Sequence, residues 1–282
     1  MTSRTWSRWT CSAILLVILL VGTNAKSDAA SDPWQPSSLT PPGKPLTVKG
    51  PINSKVADLV HGLAPAHAIQ WIRITSFGGD GESALSVALD IRKWRLPVVV
   101  DGVCASACAS YVFLLAPKRI VLPNSLVIFH HTANSLVSML RANEREQVPR
   151  MLRVAEEVEG LFQTANVDRG LLYQPQLAIK TLCYFIHPAS NGENDILYAS
   201  RFRGWIPTRD YMSNSGLDFV GYWPENPYEI EKVWRDVFPP SAQLTIVFGG
   251  PKTPPPLEKL RSALQNIPEC SSNKVSSHIG PE

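Results

Sequence analysis

The sequence predicts an α/β fold built on a parallel sheet, and three observations carry that expectation. An apolar run from Trp71 to Thr75 ends in Gly78-Gly79, after which Ala84, Leu85, Ala88, Leu89 and Ile91 recur at helical spacing, so a strand feeds a helix through a glycine turn. A second run, Pro97 to Asp101, leads through Gly102-Val-Cys-Ala-Ser106-Ala-Cys-Ala-Ser into the apolar stretch Tyr111 to Ala116. A third, Ser125 to His131, follows the turn Leu122-Pro-Asn-Ser and delivers His130 and His131. Strands alternating with helical segments are the signature of βα units.

In chain order, residues 1–25 read as a leader. Arg4 and Arg8 precede the apolar run AILLVILLVG, and Thr23-Asn24-Ala25 places small residues where a signal peptide is cut. That run is shorter than the roughly 20 residues a membrane span needs. Export to a periplasmic or extracellular location is therefore expected, with an N-terminal membrane anchor as the alternative if the leader is retained. Residues 26–46, rich in Pro and Ser, read as an extended linker. From Thr47 the chain alternates strand-like and helical stretches, with Val56 to Leu63 a short first helix.

Beyond His131, the positions Val148, Met151, Leu152, Ala155, Val158, Leu161 and Phe162 keep helical spacing, with Arg150, Arg153, Glu156 and Glu157 on the other face. Pro149 suits the start of that helix. Leu182 to Ile186 reads as a strand and Asn191 to Asp195 as a turn. Thr208 caps a short helix that Gly216 stops. The domain is expected to span residues 47–220. A C-terminal extension, 221–282, adds a strand at Gln243 to Phe248, a helix at Leu257 to Gln265 and a disordered end.

Four of these pieces together resemble the proteolytic subunit of the Clp protease and its relatives in the ClpP/crotonase superfamily. They are Ser76-Phe77-Gly78-Gly79, Gly102-Val103-Cys104-Ala105-Ser106-Ala107-Cys108-Ala109, Leu122-Pro123-Asn124-Ser125, and His130. The segment Gly204 to Leu217 is similar to a fifth motif of that family. Phe77, Ala107 and Cys108 depart from the pattern without deleting a side chain that performs chemistry. The resemblance implies a ClpP/crotonase-like α/β fold of stacked ββα units with a long helix after the histidine strand. It also implies a role for the helix at 144–167 in joining subunits into a homo-oligomer; the alternative is a helix packed on its own domain.

Serine, histidine and a Gly-Gly turn are what acyl transfer through a serine nucleophile requires. Ser106 lies at a strand-to-helix junction among small residues, which leaves its hydroxyl approachable. A base is needed, and strand alternation lets only one of His130 and His131 point at Ser106. The resemblance selects His130. Gly78, Gly79 and the N–H of Ala107 are the expected oxyanion donors. The third catalytic position is less well marked: the family's aspartate falls near Ser200, and Asp195 is the nearest acid upstream. A Ser-His dyad or a neutral group orienting His130 are the other options.

Composition narrows the rest. A chain of 282 residues with 44% apolar content can bury one α/β core. A formal charge of +3 without a basic run gives nucleic-acid binding no footing. Removing the leader leaves Cys104, Cys108, Cys183 and Cys270, an even number that an oxidising compartment could pair in three ways. No cofactor is implied, and no metal, since no ligand spacing surrounds Cys104 and Cys108. The expectation is an exported, ATP-independent serine-type peptidase acting on short or unfolded peptides. The alternatives are an inactive ClpP-fold protein that binds peptides or serves in assembly, and, opposed by export, an acyl-CoA enzyme of crotonase type.

Overall fold

The computed structural model describes residues 39–188, 192–237 and 245–271. The leader, most of the linker and the chain's end lie outside the described residues, as do parts of the predicted turn at Asn191 and of the strand at Gln243.

The fold is α/β with a parallel sheet, as the alternation predicts. Strand β1 (Pro45–Lys49) is followed by α1 (Ser54–Leu63), β2 (Trp71–Ser76), α2 (Gly81–Lys93) and β3 (Val98–Ala105). Next come β4 (Arg119–Val121) and β5 (Leu126–Ile128). The order in the sheet is β1-β2-β3-β4, every pair parallel, with β5 also on β3. Both β4 and β5 pair with β3, but along different halves: Val98 to Val100 face β4, and Val103 to Ala105 face β5. The change of partner falls at Gly102, whose φ of 97° is left-handed and whose N–H donates to Ser125 Oγ at 2.8 Å. That switch brings the chain just before Ser106 against the strand that leads to the histidines.

Period-2 alternation sets the core. Ile72, Ile74, Val98 and Val100 pack into the main apolar cluster with Ala84, Leu85, Ala88 and Ile91 of α2. Trp71, Val99 and Ile120 point the other way into a small second cluster with Leu39 and Leu122.

After β5 come α3 (Ala133–Met139), α4 (Ala142–Arg145) and α5 (Pro149–Ala165), the last with Pro in its first turn and Asn166 left-handed at its end. The apolar stripe of α5, Val154, Ala155, Val158 and Phe162, is buried in its own chain, and Asn134 of α3 donates to Ala155 O at 2.7 Å.

A short α6 (Gln174–Ala178) leads to the antiparallel hairpin of β6 (Thr181–Pro188) and β7 (Asn194–Ser200). Next, β8 (Gly204–Ile206) is followed by α7 (Arg209–Asn214), capped by the Thr208 hydroxyl, and by β9 (Val220–Gly221) on the edge of the main sheet beside β4. The C-terminal part supplies α8 (Pro227–Val237), β10 (Ile246–Phe248) beside β8, and α9 (Leu257–Gln265). Leu260 and Leu264 of α9 belong to the main cluster, so this part packs on the domain. Disulfide Cys183–Cys270 ties the hairpin to the residues after α9.

Candidate active site

Ser106 sits where β3 ends and a tight helical turn, Cys108–Phe113, begins. Its φ of 56° is left-handed, a conformation that costs an L-residue about 1–2 kcal/mol. Several bonds hold it there. Its N–H donates to Ile128 O of β5 at 3.1 Å, and its carbonyl accepts from Ser110 N at 2.9 Å. Disulfide Cys104–Cys108 spans the turn from both sides, with both cysteines fully buried. Arg119, itself buried, donates to Phe113 O at 3.0 Å and Leu114 O at 2.5 Å, tying down the far end of the turn. A strained, over-determined serine at a strand-to-helix corner is the geometry that lifts a nucleophile's hydroxyl clear of its own backbone.

The Gly78-Gly79 turn lies against this corner. A Cβ on Gly78 would stand 2.5 Å from Ser106 Cβ and 2.9 Å from its Oγ, so only glycine admits the approach. The two glycines differ in what their amides do. Gly78 N–H is taken by Ser76 Oγ at 3.1 Å. Gly79 N–H and Ala107 N–H have no hydrogen-bond partner among the described residues. Both residues line a cavity of about 180 Å³ together with Ser106. Of the three amides expected as donors, Gly78 N–H is thus engaged by a serine hydroxyl two residues upstream.

The histidines fall outside the strand. Ladder pairing of β5 ends at Ile128, Phe129 forms a single bridge to Trp205, and Thr132 already caps α3. His130 and His131 occupy the joint between, so the strict alternation expected of a strand does not apply to them. Their rings stand edge to face with centroids 4.0 Å apart. Both Nδ1 atoms reach one hydroxyl, Tyr198 Oη on β7, at 3.0 Å from His130 and 2.7 Å from His131. His131 lines the cavity with Ser106, Gly79 and Ala107; His130 is not among its lining residues. Neither imidazole is hydrogen-bonded to the Ser106 hydroxyl among the described residues. Burial pushes the pKa of His130 down to about 4, and burial together with the neighbouring His130 holds that of His131 well below its ordinary value.

Asp195 also lines the cavity, at the exposed start of β7, without touching either imidazole. Tyr198, and not an acid, is hydrogen-bonded to the two histidines. It lies two residues before Ser200, where counting back along the motif lands. A phenol hydroxyl is a neutral group that can orient an imidazole, one of the options the sequence leaves open. Arg150 of α5 is paired with Asp80 and Glu82, each at 2.9 Å, and these residues with Glu193 form the polar part of the cavity lining. Tyr111, Leu136, Met151 and Val154 form its apolar wall.

No protein-family model matches the chain, and no curated protein matches it. Among solved structures the chain is similar to a variant of ClpP1 from Listeria monocytogenes at 24% identity, over 44% of this chain and 72% of that one, with a TM-score of 0.35.

Proposed function

We propose that the chain is a serine-type hydrolase acting on peptide carbonyls. Ser106 Oγ attacks the carbonyl carbon, the imidazole pair His130 and His131 takes up the hydroxyl proton, and the N–H groups of Gly79 and Ala107 receive the oxyanion. The proton then passes from imidazolium to the leaving amine, and water repeats the sequence to release the acyl group. The single observation that carries this reading is the convergence on one cavity of a left-handed serine, two amides without a partner among the described residues, and an imidazole ring.

Motif spacing supports His130 as base, and the cavity lining supports His131. Their shared partner makes them one unit, so the proposal assigns the base to the pair. At neutral pH the rings are unprotonated, as a proton acceptor must be, while a pKa near 4 makes His130 a weaker base than a free imidazole. Two disulfides support an exported protein, because such bonds persist in oxidising compartments. No helix among the described residues is long and apolar enough to cross a membrane.

The test is hydrolysis of a mixed fluorogenic peptide set by the wild type, Ser106→Ala, His130→Ala and His131→Ala. Turnover that disappears in Ser106→Ala and falls at least 100-fold when one of the histidines is removed supports the hydrolase. Equal turnover in wild type and Ser106→Ala refutes it.

A further inference from the structure

The Gly78-Gly79 turn is gripped on one side by two groups. Ile52 N–H donates to Gly78 O at 2.7 Å and Ile52 O accepts from Asp80 N at 2.9 Å, so the backbone of this fully buried residue clamps the turn before and after Gly79. Ser76, also buried, adds a second hold: its hydroxyl donates to Gly78 O and accepts from Gly78 N, each at 3.1 Å. The hydroxyl hydrogen and one lone pair are thereby both used. A Cβ on Gly79 would overlap Ile52 O, so the clamp closes only on glycine.

Gly78 C=O and Gly79 N–H belong to one planar trans peptide, in which carbonyl and amide point in opposite directions. Fixing Gly78 O towards Ile52 and Ser76 therefore turns Gly79 N–H the other way, towards the cavity that Gly79 lines with Ser106. The same peptide lies between two glycines, with φ of 105° and 140°, so no Cβ resists its rotation. Turned over, it would present a carbonyl oxygen to the cavity, and that dipole opposes a developing oxyanion. We propose that Ser76 is a positioning residue whose hydroxyl holds this peptide in the orientation that offers Gly79 N–H to the oxyanion. The inference rests on the hydrolase reading for its catalytic meaning, though not for the clamp itself.

The two holds differ in origin. Ile52 lies in the connection between β1 and α1, whereas Ser76 ends β2, so its hydroxyl ties the turn to the interior of the main sheet. The negative oxygen exists only after Ser106 has attacked the carbonyl, so a loosened Gly79 N–H weakens the transition state and leaves substrate binding almost untouched. One such donor is worth on the order of 100-fold in rate, and a donor that is mobile forfeits part of that. Removing the Ser76 hydroxyl also releases Gly78 N–H, which sets a competing outcome: a third oxyanion donor and a faster reaction.

The clamp is read by amide hydrogen exchange at Ile52, followed by NMR of the full chain, with Val99 between β2 and β4 reporting the sheet as a whole. In Ser76→Ala, exchange at Ile52 should accelerate about fivefold more than at Val99, the effect of one lost hydrogen bond. Peptide hydrolysis should show kcat about tenfold lower with KM little changed, and Ser76→Thr, which keeps the hydroxyl, should return both readouts towards the wild type. Equal acceleration at Ile52 and Val99 marks a general loss of stability and overturns the proposal. So does an active enzyme whose kcat is unchanged or raised in Ser76→Ala. The exchange measurement needs no turnover. Selective acceleration at Ile52 in a protein whose Ser106 proves inert would uphold the clamp while refuting the hydrolase.

Discussion

Replacing Ser106 by glycine is predicted to make the protein more stable than replacing it by alanine, although both changes remove the hydroxyl. The position has φ 56°, and no hydrogen bond of the Ser106 hydroxyl supports the fold among the described residues. Left-handed backbone costs a residue with a Cβ about 1–2 kcal/mol. Glycine escapes that cost but adds about 0.4–1 kcal/mol of unfolded-chain entropy. The net advantage of Ser106→Gly over Ser106→Ala is therefore up to about 1.5 kcal/mol, or as much as roughly 3–6 °C in Tm for a chain of this size. Calorimetry of the two variants with disulfides intact reads it, and peptide hydrolysis should be absent from both. A glycine variant less stable than the alanine variant would refute the claim that the corner is strained. Residual hydrolysis in either would refute the assignment of the nucleophile.

Four further outcomes follow from the same geometry. Because the pKa of His130 is lowered to about 4, the unfolded chain binds a proton below pH 6.5 before the folded chain does. Stability contributed by this residue is full above pH 6.5 and declines as pH falls towards 4, by at most about 3 kcal/mol, and urea titrations at pH 7, 5.5 and 4.5 should show a flatter dependence in His130→Gln. Arg119→Met removes donors from Phe113 O and Leu114 O and should cost about 3 kcal/mol in denaturant unfolding, a loss that Arg119→Lys does not fully restore because an ammonium cannot reproduce the guanidinium fork. Replacing Cys183 and Cys270 by serine opens the longer of the two disulfide loops and should lower unfolding stability by about 4 kcal/mol, against about 2 kcal/mol for Cys104 and Cys108, whose loss should instead fall mainly on kcat. The Asp195 carboxylate at the cavity has no ion-pair partner among the described residues, so peptides with a basic side chain beside the scissile bond should be preferred, and Asp195→Asn should reduce that preference about tenfold in kcat/KM.

The sheet and the turn at Ser106 were legible because they rest on local chemistry. Period-2 apolar runs, Gly78-Gly79 and the small residues around Ser106 each specify their own conformation. The helix at Leu257 to Gln265 was read with the ends it has, since its apolar spacing and the prolines before it are unambiguous. Strand β4 was passed over because three residues, Arg119 to Val121, carry no period, and its existence depends on pairing with Val98 to Val100. Helix α8 buries only Ile230 and Val233, too short an apolar stripe to mark it in the sequence. At the site, Ser106, Gly79 and Ala107 follow from sequence. The use of Gly78 N–H by Ser76 depends on a hydroxyl rotamer, and the meeting of two histidines at Tyr198 depends on where β5 stops and on the hairpin of β6 and β7. The first turns on one side-chain rotamer two residues away, and the second on packing between segments nearly 70 residues apart; no apolar period encodes either.

The most direct measurement is mass-spectrometric mapping of the full chain after treatment with a fluorophosphonate. Stoichiometric modification confined to the peptide containing Ser106, lost on denaturation and in Ser106→Ala, is the expected result. A protein that stays unmodified while folded, or one modified at a different serine, would contradict the account.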